Sequence, residues 1–138
     1  MRQASLVLAL LLAASLLTAT AQAARAAEVV KFTAVTVSEK QPSEKTFISN
    51  DNVLIGGKKA GTDRLTCTVV SQTRATCKIL IKLAGGTINA KMGITFTQSK
   101  GTGAITGGSG DYAGAKGSFT WKNLNKEGTR TAVVLTLV

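Results

Sequence analysis

From Thr87 to Thr97 the chain alternates without a break. Ile88, Ala90, Met92, Ile94 and Phe96 fall on one side, and Thr87, Asn89, Lys91, Gly93, Thr95 and Thr97 on the other. Successive side chains of an extended strand point to opposite faces, so this segment has one dry face and one wet face. A helix would spread the same residues around its whole circumference. The period recurs along the chain. Glu28 to Val37 sets Val30, Phe32 and Ala34 against Lys31 and Thr33, and Arg64 to Val70 and Ala75 to Leu83 form two further runs around Ser71-Gln72-Thr73. Thr102 to Thr106, Gly117 to Asn123 (Phe119 with Trp121) and Arg130 to Val138 (Val133, Leu135 and Leu137 together) complete the series. Thr46 to Ile55 reads as an extended segment interrupted by the turn-prone Ser49-Asn50-Asp51-Asn52. Glu39 to Lys45, charged and holding the single Pro, Pro42, reads as a loop, and Gly56 to Gly61 as a basic, glycine-rich connection. Gly85-Gly86 and Glu127-Gly128 mark turns. Eight short antiparallel strands with no helix to cover an edge are best accommodated by closing the sheet into a barrel. The expected fold is therefore all-β, an eight-stranded antiparallel barrel; a β-sandwich is the competing architecture.

The first residues read differently. Met1-Arg2-Gln3 is a short basic start, Leu6 to Leu17 is apolar except for Ser15, and Ala21-Gln22-Ala23 and Ala24-Arg25-Ala26 are small-x-small cleavage sites. That is the pattern of a secretory signal peptide over 1–26, followed by one domain over 27–138. The apolar run is shorter than the roughly 20 residues a membrane-spanning helix needs, so no transmembrane anchor is expected. The destination is outside the cytosol, secreted or periplasmic. There a pair of thiols is expected to bond. A hairpin around Ser71 to Thr73 would set Val69 opposite Ala75 and Cys67 opposite Cys77, within reach of a disulfide.

Several function classes drop out. The 138 residues contain no His, which removes Ser-His-Asp and Cys-His hydrolases and every His-ligated metal site. No cofactor or metal motif is legible. Gly107, Gly108, Gly110, Gly114 and Gly117 crowd one stretch, but Ser118-Phe119-Thr120-Trp121 continues it as a strand, whereas a dinucleotide loop needs a helix N-terminus there. The formal charge of +10, with Lys58, Lys59, Lys78, Lys82, Lys91, Lys122 and Lys126 prominent, favours polyanions in principle. With six aromatic side chains available for stacking, nucleic acid is not expected as a partner.

The stretch from Ile105 to Gly117 resembles the Gly-Gly-Thr-Gly-x-Phe/Tyr-x-x-Ala-x-Gly signature of dirigent proteins and the related allene oxide cyclase barrels. Ser109 stands in place of the usual Thr, and Tyr112, Ala115 and Gly117 occupy the matching positions. Gly57 to Gly61 is similar to the family's Gly-x-x-x-Gly turn. The resemblance runs from about Asp51 to Val138 and is firmest from Gly85 onward. A short secreted chain with a central cysteine hairpin looks most like the bacterial members. The resemblance implies an eight-stranded barrel, often a homotrimer, with a pocket for a small hydrophobic or phenolic molecule.

It also frames the candidate residues. Dirigent proteins orient phenoxy radicals with acidic and Arg side chains, and allene oxide cyclases guide a ring closure by constraint with a carboxylate in support. By that resemblance Asp51, Arg64 and Arg130 are the catalytic candidates, while Tyr112, Met92, Phe96 and Trp121 are the ligand-binding ones. Each has a purely structural reading too: Asp51 as a turn residue, both arginines on strand exteriors, Tyr112 as a turn anchor, the rest as core. The leading expectation is a secreted barrel that binds a small apolar or phenolic molecule without elaborate catalytic machinery. The alternatives are an isomerase-type enzyme guiding cyclisation or coupling, and a basic envelope-associated interaction protein.

Overall fold

The computed structural model describes residues 27–138, so the leader read over 1–26 lies outside the described residues. Eight antiparallel strands follow one another around a closed barrel: β1 (Glu28–Ser43), β2 (Thr46–Ile55), β3 (Lys58–Val69), β4 (Arg74–Leu83), β5 (Gly86–Thr95), β6 (Lys100–Gly110), β7 (Gly117–Asn123) and β8 (Arg130–Leu137). Each strand pairs with its sequence neighbours, and β8 returns to β1 through Glu28↔Leu137 to Val35↔Arg130. No sheet edge is left along the body of the barrel. The cysteine hairpin has the expected register, with Val69 opposite Ala75 and Cys67 disulfide-bonded to Cys77. Replacing both cysteines by Ala is expected to cost about 2–3 kcal/mol, read as a lower denaturant midpoint.

Three boundaries differ from the sequence reading, each for a physical reason. Glu39 to Lys45 is not a loop: β1 continues to Ser43, and only Glu44-Lys45 turn the chain into Thr46. Pro42 is tolerated because it falls in a register shift between Lys40 and Ser43, where no ladder donor is needed. Beyond Val35 this arm has β2 on one side and no β8 partner on the other, so it projects past the barrel wall. Ser49 to Asn52 does not interrupt β2 either. Ladders to β1 and β3 hold it extended on both sides, and Asn50 Nδ2 donates to Ser38 Oγ at 3.2 Å. Finally, the turn after β2 is only Gly56-Gly57, both at positive φ, and β3 already begins at Lys58.

The two ends of the barrel are unlike. One end carries the β2–β3, β4–β5 and β6–β7 turns and is filled by Val53, Ile88, Ile105, Ala115 and Leu137, all buried. Its largest turn is Asp111 to Lys116: of the glycine stretch read as a turn only Gly114 lies in it, because pairing with β5 carries β6 on through Gly107 and Gly108 to Gly110, and Gly117 already opens β7. Asp111 N–H donates to Gly85 O (2.9 Å) and Ala115 N–H to Tyr112 O (3.0 Å), with Gly110 and Gly114 at φ +61° and +72°. The signature glycines are not equivalent. A side chain at Gly107 would meet open space, while one at Gly110 would combine the left-handed backbone with the Gly85 carbonyl. Gly107→Ala is expected to leave the melting temperature within a degree or two, whereas Gly110→Ala costs about 1–2 kcal/mol. On the far side of this plug the interior opens.

Candidate functional site

Strand parity decides what faces the interior. Counting by twos gives Phe32, Ala34 and Thr36 from β1; Phe47, Ser49 and Asp51 from β2; and Asp63 and Leu65 from β3. Ile79 and Ile81, Ala90 to Ile94, Phe119 and Trp121, and Thr131 to Leu135 supply the remaining wall. These side chains enclose a cavity of about 320 Å³ that opens at the end bearing the β1–β2 and β7–β8 turns, where Glu39, Phe96, Gln98, Asn123 and Thr131 ring the mouth. Space remains because β6 presents glycines inward. Gly101 lies opposite Trp121 and Gly103 opposite Phe119, and a side chain at either would collide with the facing ring. The two rings lie over those glycines and form one wall of the cavity.

Two carboxylates stand inside this apolar chamber. Asp51 and Asp63 are directly opposed on β2 and β3, 7% and 5% exposed. Ser49 Oγ donates to Asp51 Oδ1 at 2.9 Å. The Asp63 carboxyl is pushed up to about 9, first by burial, then by the hydrogen bond it donates to Asp51, then by the Asp51 charge. Near neutral pH Asp63 therefore keeps its proton. Asp63 Oδ1 is buried without a hydrogen-bond partner, and so is Trp121 Nε1. The wall of the chamber therefore buries one unsatisfied acceptor and one unsatisfied donor, the donor packed toward Gly101 of β6, and each costs free energy.

Of the residues singled out in the sequence, Asp51, Met92, Phe96 and Trp121 line this cavity; Phe96 is 48% exposed at its mouth. Asp51 is not a turn residue, because β2 runs straight through it. Arg64 and Arg130 are exposed on the outer face. Tyr112 is at the opposite, plugged end, packed against the core; burial first, then Glu28 and Asp111, raise its phenol above the ordinary value. Asp63 was not singled out, although a signal existed: Cys67 and Leu65 point inward, and the same parity carried back two residues reaches Asp63.

No family model matches the chain, and no curated protein matches it in sequence. Solved structures do match in shape. A pyocyanin demethylase superposes with a TM-score of 0.66 at 24% identity, covering 80% of this chain and 100% of that one. A pterocarpan synthase dirigent protein gives 0.61 at 15% identity over 82% and 86%. The Diels-Alderase AbmU from Streptomyces koyangensis gives 0.64 at 12% identity over 88% and 73%. The chain has the dirigent-like and cyclase-like barrel fold. Identities this low establish the architecture, while the chemistry of a dirigent-like barrel must be argued from its own interior. Among the described residues no helix is long and apolar enough to cross a membrane.

Proposed function

We propose that this dirigent-like barrel binds one small, largely apolar molecule in its interior, outside the cytosol. The observation that carries the reading is the open cavity, apolar-walled and holding the opposed Asp51 and Asp63. A volume of about 320 Å³ lies at the lower end of the range for small-molecule pockets. Apolar walls would supply affinity, and the carboxyl pair would fix orientation. The Cys67–Cys77 disulfide supports an oxidising compartment. The names of the structural neighbours, a demethylase, a pterocarpan synthase and a Diels-Alderase, all describe action on small molecules and favour the same reading.

A second reading, an isomerase-type enzyme guiding cyclisation or coupling, is favoured by the acid pair. Asp63, which holds its proton to about 9, can pass it to a substrate atom, while the walls select one folded conformer. On that reading Asp51→Asn or Asp63→Asn abolishes turnover while binding persists. Lys58, Lys59, Lys78, Lys82, Lys91, Lys122 and Lys126 are exposed; a charged exterior accounts for them without a polyanion partner.

Trp121 is the single tryptophan and lines the cavity, so its fluorescence reports occupancy. Titration with bicyclic phenols and related ring compounds is expected to give a saturable change. Thr131→Phe, which narrows the mouth without touching the plug, is expected to weaken it about tenfold or more, with an unchanged melting temperature as the control for folding. Equal affinity in that variant would place the ligand elsewhere.

A further inference from the structure

Every charged side chain lining the cavity is acidic. Glu39 stands at the mouth and Asp51 and Asp63 within, and among the described residues no Lys or Arg reaches the chamber. This holds in a chain of net charge +10, whose basic residues near the pair (Arg64 and Lys82) are exposed on the outside of the wall. Strand alternation enforces the segregation, since a residue adjacent to an inward one must point outward. The interior thus presents carboxyl groups with no internal basic partner, a costly arrangement for a chamber that stays empty. The same cavity is lined by the aromatic side chains of Phe32, Phe47, Phe119 and Trp121, and an aromatic face attracts positive charge. Asp63 Oδ1 is buried and unpartnered, so the protein alone does not satisfy the pair.

We propose that the ligand is an organic cation: a flat or compact apolar molecule, two or three rings in size, carrying a delocalised or amine positive charge that rests against the Asp51–Asp63 pair between the aromatic walls. This rests on the reading of the cavity as a ligand site and names its ligand class. The basic exterior acts on the arrival rate of such a molecule, a long-range effect that salt screens. Within the chamber, contact with the acid pair is shielded from that screening.

The test is calorimetric titration at pH 7 with three bicyclic probes of near-equal size, 1-methylquinolinium (cationic), 1-naphthol (neutral) and 1-naphthoate (anionic). The cation is expected to bind about tenfold or more tighter than 1-naphthol, and 1-naphthoate weakest of all. In Asp51→Asn/Asp63→Asn, with folding checked by circular dichroism, the cation should fall to the affinity of 1-naphthol. Glu39→Gln, at the exposed mouth, should reduce cation affinity by a smaller factor and serves should the double variant not fold. If 1-naphthol or 1-naphthoate binds as tightly as the cation, the cation proposal is overturned while the cavity remains a ligand site. If none of the three binds, and Trp121 fluorescence responds to no ring compound, the binding reading falls with it.

Discussion

Asp63→Asn is expected to raise the melting temperature at pH 8 by roughly 5–10 °C and to flatten its dependence on pH. The sign follows from the raised carboxyl. In the unfolded chain Asp63 ionises near the ordinary value of 3.8, and in the barrel it holds its proton to about 9. Between those values the folded state binds more protons than the unfolded one, so wild-type stability falls as pH rises. The contribution is fully present below 3.8, declines across the interval and is gone above about 9. One proton sets the ceiling at ~1.4 kcal/mol per pH unit. Asparagine keeps the shape and a donor toward Asp51 but has no proton to lose. Thermal melts of both proteins from pH 5 to pH 9 check this. Parallel curves would show that Asp63 is not a buried acid.

Phe119→Ala is expected to cost about 3–5 kcal/mol, the largest effect of any single side-chain truncation considered. The ring is 4% exposed, lies over Gly103 across the β6–β7 ladder, and lines the cavity while packing into the main core. Its removal would add its own volume to an existing void, which leaves little chance of collapse around the gap. Trp121→Phe, one step nearer the mouth, should cost far less, because it leaves the wall in place and removes an indole N–H that has no partner. Guanidinium titrations of the two variants side by side give the contrast directly. Similar losses in both would mean that the floor and the wall of the chamber carry equal load.

The ease with which parts of this fold can be read from the sequence follows from how local their causes are. β5 and the cysteine hairpin are legible because alternation and a short turn are properties of neighbouring residues, and Cys67 and Cys77 meet through register alone. The long β1 arm is not, because Pro42 and its charged neighbours have loop propensity and are held extended only by β2 and by a bulge that spares Pro42 its missing donor. Asp51 has the same history. Flanked by Asn50 and Asn52 it has the composition of a turn, and tertiary pairing on both sides overrides it. The candidate site is half legible for a related reason. Met92, Phe96 and Trp121 belong to apolar faces that announce an interior, whereas Asp63 is a charged residue whose inward direction appears only when strand parity is carried across it. The volume of the chamber has no local signature, since it depends on glycines at 101 and 103 facing rings on another strand.

The most direct test of the interior as a ligand site is the indole N–H resonance of Trp121 in a two-dimensional nitrogen–proton spectrum, followed while 1-methylquinolinium is added. With a single tryptophan in the chain there is one such signal, and it belongs to a buried donor without a partner. A saturable shift of that signal, accompanied by Met92 and Asp63 and leaving Tyr112 at the plugged end unmoved, is the predicted result. Shifts confined to the exposed lysines of the outer face, with the indole signal unchanged at saturation, would contradict it and place the function on the surface of the barrel.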